Sequence, residues 1–185
     1  MRELNLPNLL TVLRFALAPC VVIAIVDHRF GSALALVAAA GVTDGLDGLL
    51  ARMLKVETRF GAYADPIADK VLLSATYLAL GFAGAVPWWL VALIFGRDLL
   101  ILMLAAVALL LTAYRDFPPS IWGKISTFFQ ILAALGVLVA GYETQLAIPT
   151  TPLIWAAGAA TAWSGAGYVV RAAQMARQRV KTPVS

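Results

Sequence analysis

The sequence predicts an all-α, polytopic membrane bundle of six transmembrane helices with a short N-terminal interfacial helix. Three observations carry that expectation. Of the 185 residues, 62% are hydrophobic and only 13% charged, against about a quarter charged in a soluble domain, and the mean hydropathy is +0.87. Apolar runs long enough to cross a bilayer as helices, about 20 residues each, recur along the whole chain, divided by short polar or Gly/Pro-containing turns. Basic residues gather in alternate connections, the pattern that sets orientation in membrane proteins. Residues 1–185 read as one integral membrane domain without internal repeats.

The stretch Asn5-Leu-Pro7-Asn8-Leu-Leu-Thr11-Val-Leu-Arg14 mixes polar and apolar positions. It is expected to form the interfacial helix, with Arg14 at headgroup level. The apolar runs follow at 9–26, 32–51, 62–84, 87–112, 121–141 and 152–171. Each is apolar nearly all round, so length rather than periodicity identifies it. Short connections make neighbouring helices antiparallel.

Arg52, Lys55 and Arg59 lie in the second connection, Arg115 and Lys124 in the fourth, and Arg177, Arg179 and Lys181 in the C-terminal tail. The third and fifth connections hold no basic residue. Both termini and the even-numbered connections are therefore expected on the cytoplasmic side of a bacterial inner membrane. The net charge of +4 reflects this loop bias, so no nucleic-acid partner is expected. The single cysteine, Cys20, excludes an intrachain disulfide. His28, the only histidine, falls in a polar turn and is not expected to be a ligand.

Against this apolar background stand Asp44, Asp47, Asp65 and Asp69. The first two are three residues apart and the last two four apart, so on helices each pair projects from one face. A carboxylate within a membrane segment costs roughly 2.5–3.5 kcal/mol, and four together repel. Hard divalent cations neutralise such a set, and oxygen donors suit Mg²⁺ or Mn²⁺. Two ions about 3.5–4 Å apart would clamp a phosphoryl group. Gly48 and Gly61 leave backbone open to a diphosphate or a planar base, Ala51 keeps the face slim, and Arg52 offers a guanidinium fork to phosphate. Pro66 suggests a helix start or kink beside Asp65.

The full pattern is Asp-x-x-Asp-Gly-x-x-Ala-Arg, eight residues, then Gly-x-x-x-Asp-x-x-x-Asp. It resembles the signature of the CDP-alcohol phosphotransferase family at every fixed position. The likeness extends to the Asn-Leu-Pro-Asn-Leu-Leu-Thr opening, to Asp65-Pro-Ile-Ala-Asp69-Lys70 and to the six spans. It implies a metal-dependent transferase that moves the phosphoalcohol part of a CDP-alcohol to an acceptor hydroxyl and releases CMP. Asp44, Asp47, Asp65 and Asp69 would hold two divalent cations, Mg²⁺ or Mn²⁺. Asp69 would also be the general base, and Gly48, Ala51, Arg52 and Gly61 would hold the nucleotide. A homodimer is implied by the resemblance alone.

The opening and the Asp-Pro-Ile-Ala-Asp-Lys run are similar to the branch that uses CDP-diacylglycerol. Glycerol 3-phosphate is the first expected acceptor, as in phosphatidylglycerophosphate synthases. Phosphatidylglycerol, as in cardiolipin synthases, is the alternative. An anionic acceptor needs cations near the metals, and Lys124, Arg97, Arg115 and Arg171 are the candidates. Arg97-Asp98 stands where phosphatidylglycerophosphate synthases usually have Arg-Glu and looks closer to the cardiolipin synthase branch. It is equally open to being a buried structural pair. Two other classes fit less well. A metal-dependent membrane prenyltransferase typically needs a longer chain and lacks the Gly-x-x-Ala-Arg interval. A cation pathway would place acids along a span or near the midplane, whereas these cluster at one end.

Overall fold

The computed structural model describes the backbone of residues 6–54, 59–111, 121–143, 145 and 148–181, and the side chains of residues 15–43, 68–104, 121–143, 145 and 148–174. Among the described residues the structure is all-helical, with six helices and no strand: α1 (Leu6–Val26), α2 (Phe30–Leu54), α3 (Arg59–Phe82), α4 (Trp88–Leu111), α5 (Ile121–Tyr142) and α6 (Thr150–Lys181). Each apolar run found in the sequence corresponds to one helix.

The polar-apolar stretch through Arg14 runs straight into the first apolar run, both lying in α1 from Leu6. Pro7, at its second position, costs little there because a first-turn amide has no helical partner. Two other boundaries differ from expectation. α2 and α3 extend towards each other until only residues 55–58 separate them, so the acidic motif is helical almost throughout. Pro66 is consequently not a helix start, for α3 begins seven residues earlier. α6 continues ten residues past the last apolar run, to Lys181, through Ala, Gln, Met, Arg and Lys, all good helix formers.

Among the described residues, two segments are long and apolar enough to cross a membrane, Ile121–Tyr142 and Thr150–Gln174. Phe15–Val26 and Phe30–Thr43 are shorter apolar helices.

The chain forms two compact units. One contains α1, α2, α3 and α5 from Ala134 onward. Here α1 packs against both α2 and α3. Small buried residues line these helices: Ala18 and Ala24 on α1, Ala33 and Ala40 on α2, Ala68 and Ala79 on α3. They let helix backbones approach closely, the usual device where lipid removes the hydrophobic drive between helices. Val21, Ile25, Tyr77 and Leu80 fill the remaining core at no more than 0% exposure.

Two helix ends in this unit close by the same motif. After α1, Arg29 N–H donates to the Ala24 carbonyl at 2.8 Å and His28 N–H to that of Ile25 at 2.9 Å. After α3, Ala85 N–H donates to the Leu80 carbonyl at 2.9 Å and Gly84 N–H to that of Gly81 at 3.1 Å. Both are Schellman caps, which need a left-handed residue. Gly84 supplies it with φ 70°, whereas at α1 it is His28, with φ 56°. Ring-on-glycine contacts tie α2 to the end of α5. The Tyr142 ring lies on Gly31, and the Phe30 ring lies 2.7 Å from where a Cβ of Gly141 would stand.

The second unit contains α4, α5 as far as Ala133, and α6. α4 packs on α6. Trp89 lies over Gly158, 2.7 Å from the position of an added Cβ, and against Trp155 with ring centroids 5.0 Å apart. Two turns further along both helices, Arg97 reaches Ser164. α4 and α6 therefore run in the same direction, as an alternating chain path requires. Across α5 and α6, Gln130 Nε2 donates to Thr161 Oγ1 at 3.0 Å and to Ser126 Oγ at 3.2 Å, and the Ser126 and Thr161 hydroxyls lie 3.2 Å apart. All three side chains are buried. In an apolar bundle such a cluster stays together because each member satisfies another.

Candidate active site

Helix α2 carries Asp44, Asp47, Gly48, Ala51 and Arg52, and α3 carries Gly61, Asp65 and Asp69. Asp44, Asp47, Gly48 and Ala51 occupy positions i, i+3, i+4 and i+7 of one uninterrupted helix, a spacing that returns to the same side. Along the axis Asp44 and Asp47 are about 4.5 Å apart and Asp65 and Asp69 about 6 Å, from the helical rise. The side chains of Asp44, Asp47, Gly48, Ala51, Arg52, Gly61 and Asp65 lie outside the described residues, as does Arg115 altogether.

The described edges of the motif show how the fold presents it. Thr43, immediately before Asp44, turns its hydroxyl back on its own helix and donates to the carbonyls of Ala39 and Ala40, both at 2.9 Å. On α3, Ala68 is buried at 1% exposure, while Asp69 and Lys70 are exposed. The turn that holds Asp69 thus seats its alanine in the core and leaves the neighbouring carboxylate outside it. α1 packs against both acid-bearing helices.

The basic candidates differ from one another. Lys124, in the first turn of α5, and Arg171, on α6, are exposed. Arg97 is buried at 7% exposure and each of its three guanidinium nitrogens has a hydrogen-bond partner. Nη1 meets Asp98 Oδ1 at 2.7 Å, and Nη2 and Nε donate to Ser164 Oγ at 3.0 and 3.4 Å. The Tyr168 ring stands over the guanidinium carbon at 5.9 Å, within cation–π range. This geometry is that of the buried structural pair, with α4 fastened to α6.

Sequence reasoning did not find Ser164, Tyr168 or the Gln130–Ser126–Thr161 cluster. A signal existed in the spacing of Thr161, Ser164 and Tyr168 at i, i+3 and i+7, and of Ser126 and Gln130 at i and i+4, which places polar groups in rows on helices otherwise apolar. What the spacing does not disclose is which helix faces which.

Fold and motif together define an apolar helical protein with an acid-rich segment shared between two consecutive helices. Residues 4–163 match the family described as CDP-alcohol phosphatidyltransferase, and the chain belongs to that family. A Mycobacterium tuberculosis protein named "Probable phosphatidylglycerophosphate synthase" is 37% identical, the match covering 92% of this chain and 83% of that protein. The CDP-diacylglycerol–glycerol-3-phosphate 3-phosphatidyltransferase of Haemophilus influenzae is 36% identical, with 90% and 92% covered. A Mycobacterium bovis protein provisionally named a cardiolipin synthase is 32% identical, with 97% and 88% covered.

Proposed function

We propose that this protein is a phospholipid-synthesis enzyme that transfers the phosphatidyl group of CDP-diacylglycerol to the hydroxyl of glycerol 3-phosphate and releases CMP. The observation that carries this is the complete acid–glycine–arginine signature on α2 and α3 in a member of the transferase family. The names of the mycobacterial and Haemophilus relatives support glycerol 3-phosphate as acceptor. In the reaction the acceptor oxygen bonds to the lipid-bearing phosphorus, the bond from that phosphorus to the CMP oxygen breaks, and the acceptor proton passes to a base.

The donor set fits divalent cations: four carboxylates, all hard oxygen ligands, at i, i+3 and i, i+4 spacings on consecutive helices. Asp44, Asp47, Asp65 and Asp69 would hold them, and when bound they supply charge neutralisation at the diphosphate. The chain's own residues do the rest. Asp69, exposed within α3, takes the acceptor proton at hydrogen-bonding distance. Gly48 and Gly61 admit the nucleotide to the backbone, Ala51 keeps that side narrow, and Arg52 pairs with phosphate oxygens. Lys124, Arg115 and Arg171 are the cations proposed for an anionic acceptor.

Six spans, with both termini and the acid motif on the cytoplasmic side of a bacterial inner membrane, are proposed from the six apolar helices and the basic connections. A homodimer is proposed on family resemblance. A second reading, transfer to phosphatidylglycerol to form cardiolipin, is favoured by Arg97-Asp98 and by the bovine-bacillus relative.

The test offers labelled CDP-diacylglycerol to purified protein with glycerol 3-phosphate, phosphatidylglycerol, inositol phosphate or serine in turn. Metal-dependent CMP release with glycerol 3-phosphate is the expected result. Release with phosphatidylglycerol alone selects the second reading, and no release with any acceptor overturns both.

A further inference from the structure

We propose that Thr161 and Trp163 of α6 are positioning residues for acceptor binding: they hold the first turns of α5 and so fix where Lys124 presents its ammonium. Trp122, Ser126 and Gln130 stand at i, i+4 and i+8 of α5, one row along one side of the helix. Every member of that row meets α6. The Trp122 ring lies edge-on to that of Trp163, with centroids 5.9 Å apart. Ser126 Oγ is 3.2 Å from Thr161 Oγ1, and Gln130 Nε2 donates to the same Thr161 oxygen at 3.0 Å. The Thr161 proton goes to the Ala157 carbonyl at 2.7 Å, so in the Ser126–Thr161 contact Ser126 is the donor. Thr161 Oγ1 then gives one hydrogen bond and accepts two, the full capacity of a hydroxyl. A saturated, fully buried hub of this kind specifies one register, where apolar contact alone tolerates slip.

Lys124 lies between two members of this row in the chain, two residues after Trp122 and two before Ser126. Two residues are about half a helical turn, so Lys124 projects from the side of α5 away from the row, and it is exposed. A helix held along one side passes any change of height or twist to the other. One residue of slip moves Lys124 by about 1.5 Å along the axis and turns it by about 100°, and a misplacement of about 1 Å is enough to weaken a substrate contact severely. Thr161, at 0% exposure, acts on the acceptor through Lys124 alone. The inference rests on the reading of Lys124 as a ligand of an anionic acceptor.

CMP release is measured on purified full-length protein with glycerol 3-phosphate varied at saturating CDP-diacylglycerol, then with the two exchanged. Thr161→Val keeps the shape and loses the hydroxyl. It should raise the KM for glycerol 3-phosphate about three- to tenfold, the shift in an equilibrium constant that one polar contact between membrane helices supplies. The kcat and the KM for CDP-diacylglycerol stay at parent values. Thr161→Ser keeps the hydroxyl and returns the parent KM. Trp163→Leu alters an exposed side chain and raises the same KM, so the question is answered even if Thr161→Val does not fold. In a Lys124→Gln background neither substitution adds to the rise that Lys124→Gln causes alone, because α5 then has no ammonium to place. An unchanged KM in both variants, an equal rise for CDP-diacylglycerol, or a full additional rise on Lys124→Gln overturns the proposal. A parent KM in Lys124→Gln itself removes Lys124 from the acceptor site and the positioning role with it, while the transfer reaction stands. Absence of CMP release from the parent with every acceptor refutes the reaction before any variant is compared, and the positioning role falls with it.

Discussion

Arg97 of α4 and Ser164 of α6 are joined by two hydrogen bonds to one oxygen, Nη2–Oγ at 3.0 Å and Nε–Oγ at 3.4 Å, while the remaining edge of the guanidinium holds Asp98. A single arginine thereby balances the acid beside it and fastens two parallel helices. The planar fork is what allows both at once.

This pairing makes unequal predictions for its three members. Arg97→Ala removes the cation paired with the Asp98 carboxylate, whose side chain is only 17% exposed, and should cost about 3–5 kcal/mol, the usual penalty for breaking a buried ion pair. Ser164→Ala leaves the ion pair intact and should cost about 1 kcal/mol. Replacing both charges, Arg97→Leu with Asp98→Leu, should recover most of the Arg97→Ala loss. Thermal unfolding of the purified protein in detergent orders the three. If Arg97 bound acceptor rather than holding the fold, Arg97→Ala would unfold at the parent temperature and lose acceptor use alone.

Gln130 gives a second case. Its amide donates to both Ser126 and Thr161, and Thr161 in turn donates to the Ala157 carbonyl at 2.7 Å. Gln130→Leu removes the amide that bonds the Ser126 and Thr161 hydroxyls together, and should cost about 0.6–2 kcal/mol, the range for polar contacts between membrane helices. Ser126→Ala should cost less, because Gln130 keeps Thr161. A larger loss for Ser126→Ala than for Gln130→Leu in the same unfolding series would contradict this order.

The glycines separate by environment. Gly84, at φ 70°, sits where an L side chain is disfavoured by roughly 1–2 kcal/mol, so Gly84→Ala should lower the melting temperature although nothing lies within 4 Å. Gly96 also has open space but regular helical backbone, and Gly96→Ala should raise stability by up to about 1 kcal/mol. Gly158→Ala meets the Trp89 ring and should cost about 1–3 kcal/mol by overpacking, with Trp89→Leu restoring much of it. Equal shifts for Gly84→Ala and Gly96→Ala would remove the backbone argument.

Element positions were legible in the sequence because an apolar run of spanning length has few other uses. The ends were less so. α2 and α3 carry polar and acidic residues well into what reads as a connection, yet Ala, Leu, Arg and Met around Arg52 keep the backbone helical to Leu54. His28 in the left-handed position of a cap has no sequence mark, since glycine is the residue that position ordinarily attracts. For the site, the acid and glycine spacings were readable because chemistry fixes them along one chain. The partners of Arg97 were not, because Ser164 lies 67 residues away and only packing brings it there.

The acid that tests the proposed reaction most directly is Asp69. It lies one turn after Asp65 on α3, exposed beside the buried Ala68, and is proposed to accept the proton of the attacking hydroxyl. Asp69→Asn keeps the shape and a metal-ligating oxygen but lacks a basic site at neutral pH. CMP release should fall by about 10²–10⁴-fold, the usual contribution of a positioned base, while the affinity for CDP-diacylglycerol changes only a few-fold. Asp44→Asn touches the proposed metal set without touching the base, and should weaken nucleotide binding and turnover together. Removal of divalent ions with EDTA should silence the parent protein and be reversed by Mg²⁺ or Mn²⁺. Turnover and equilibrium nucleotide binding, measured on the same preparations, distinguish the roles. Parent-level CMP release from Asp69→Asn would move the base to another residue, whereas parallel loss of binding and turnover would leave Asp69 a ligand only.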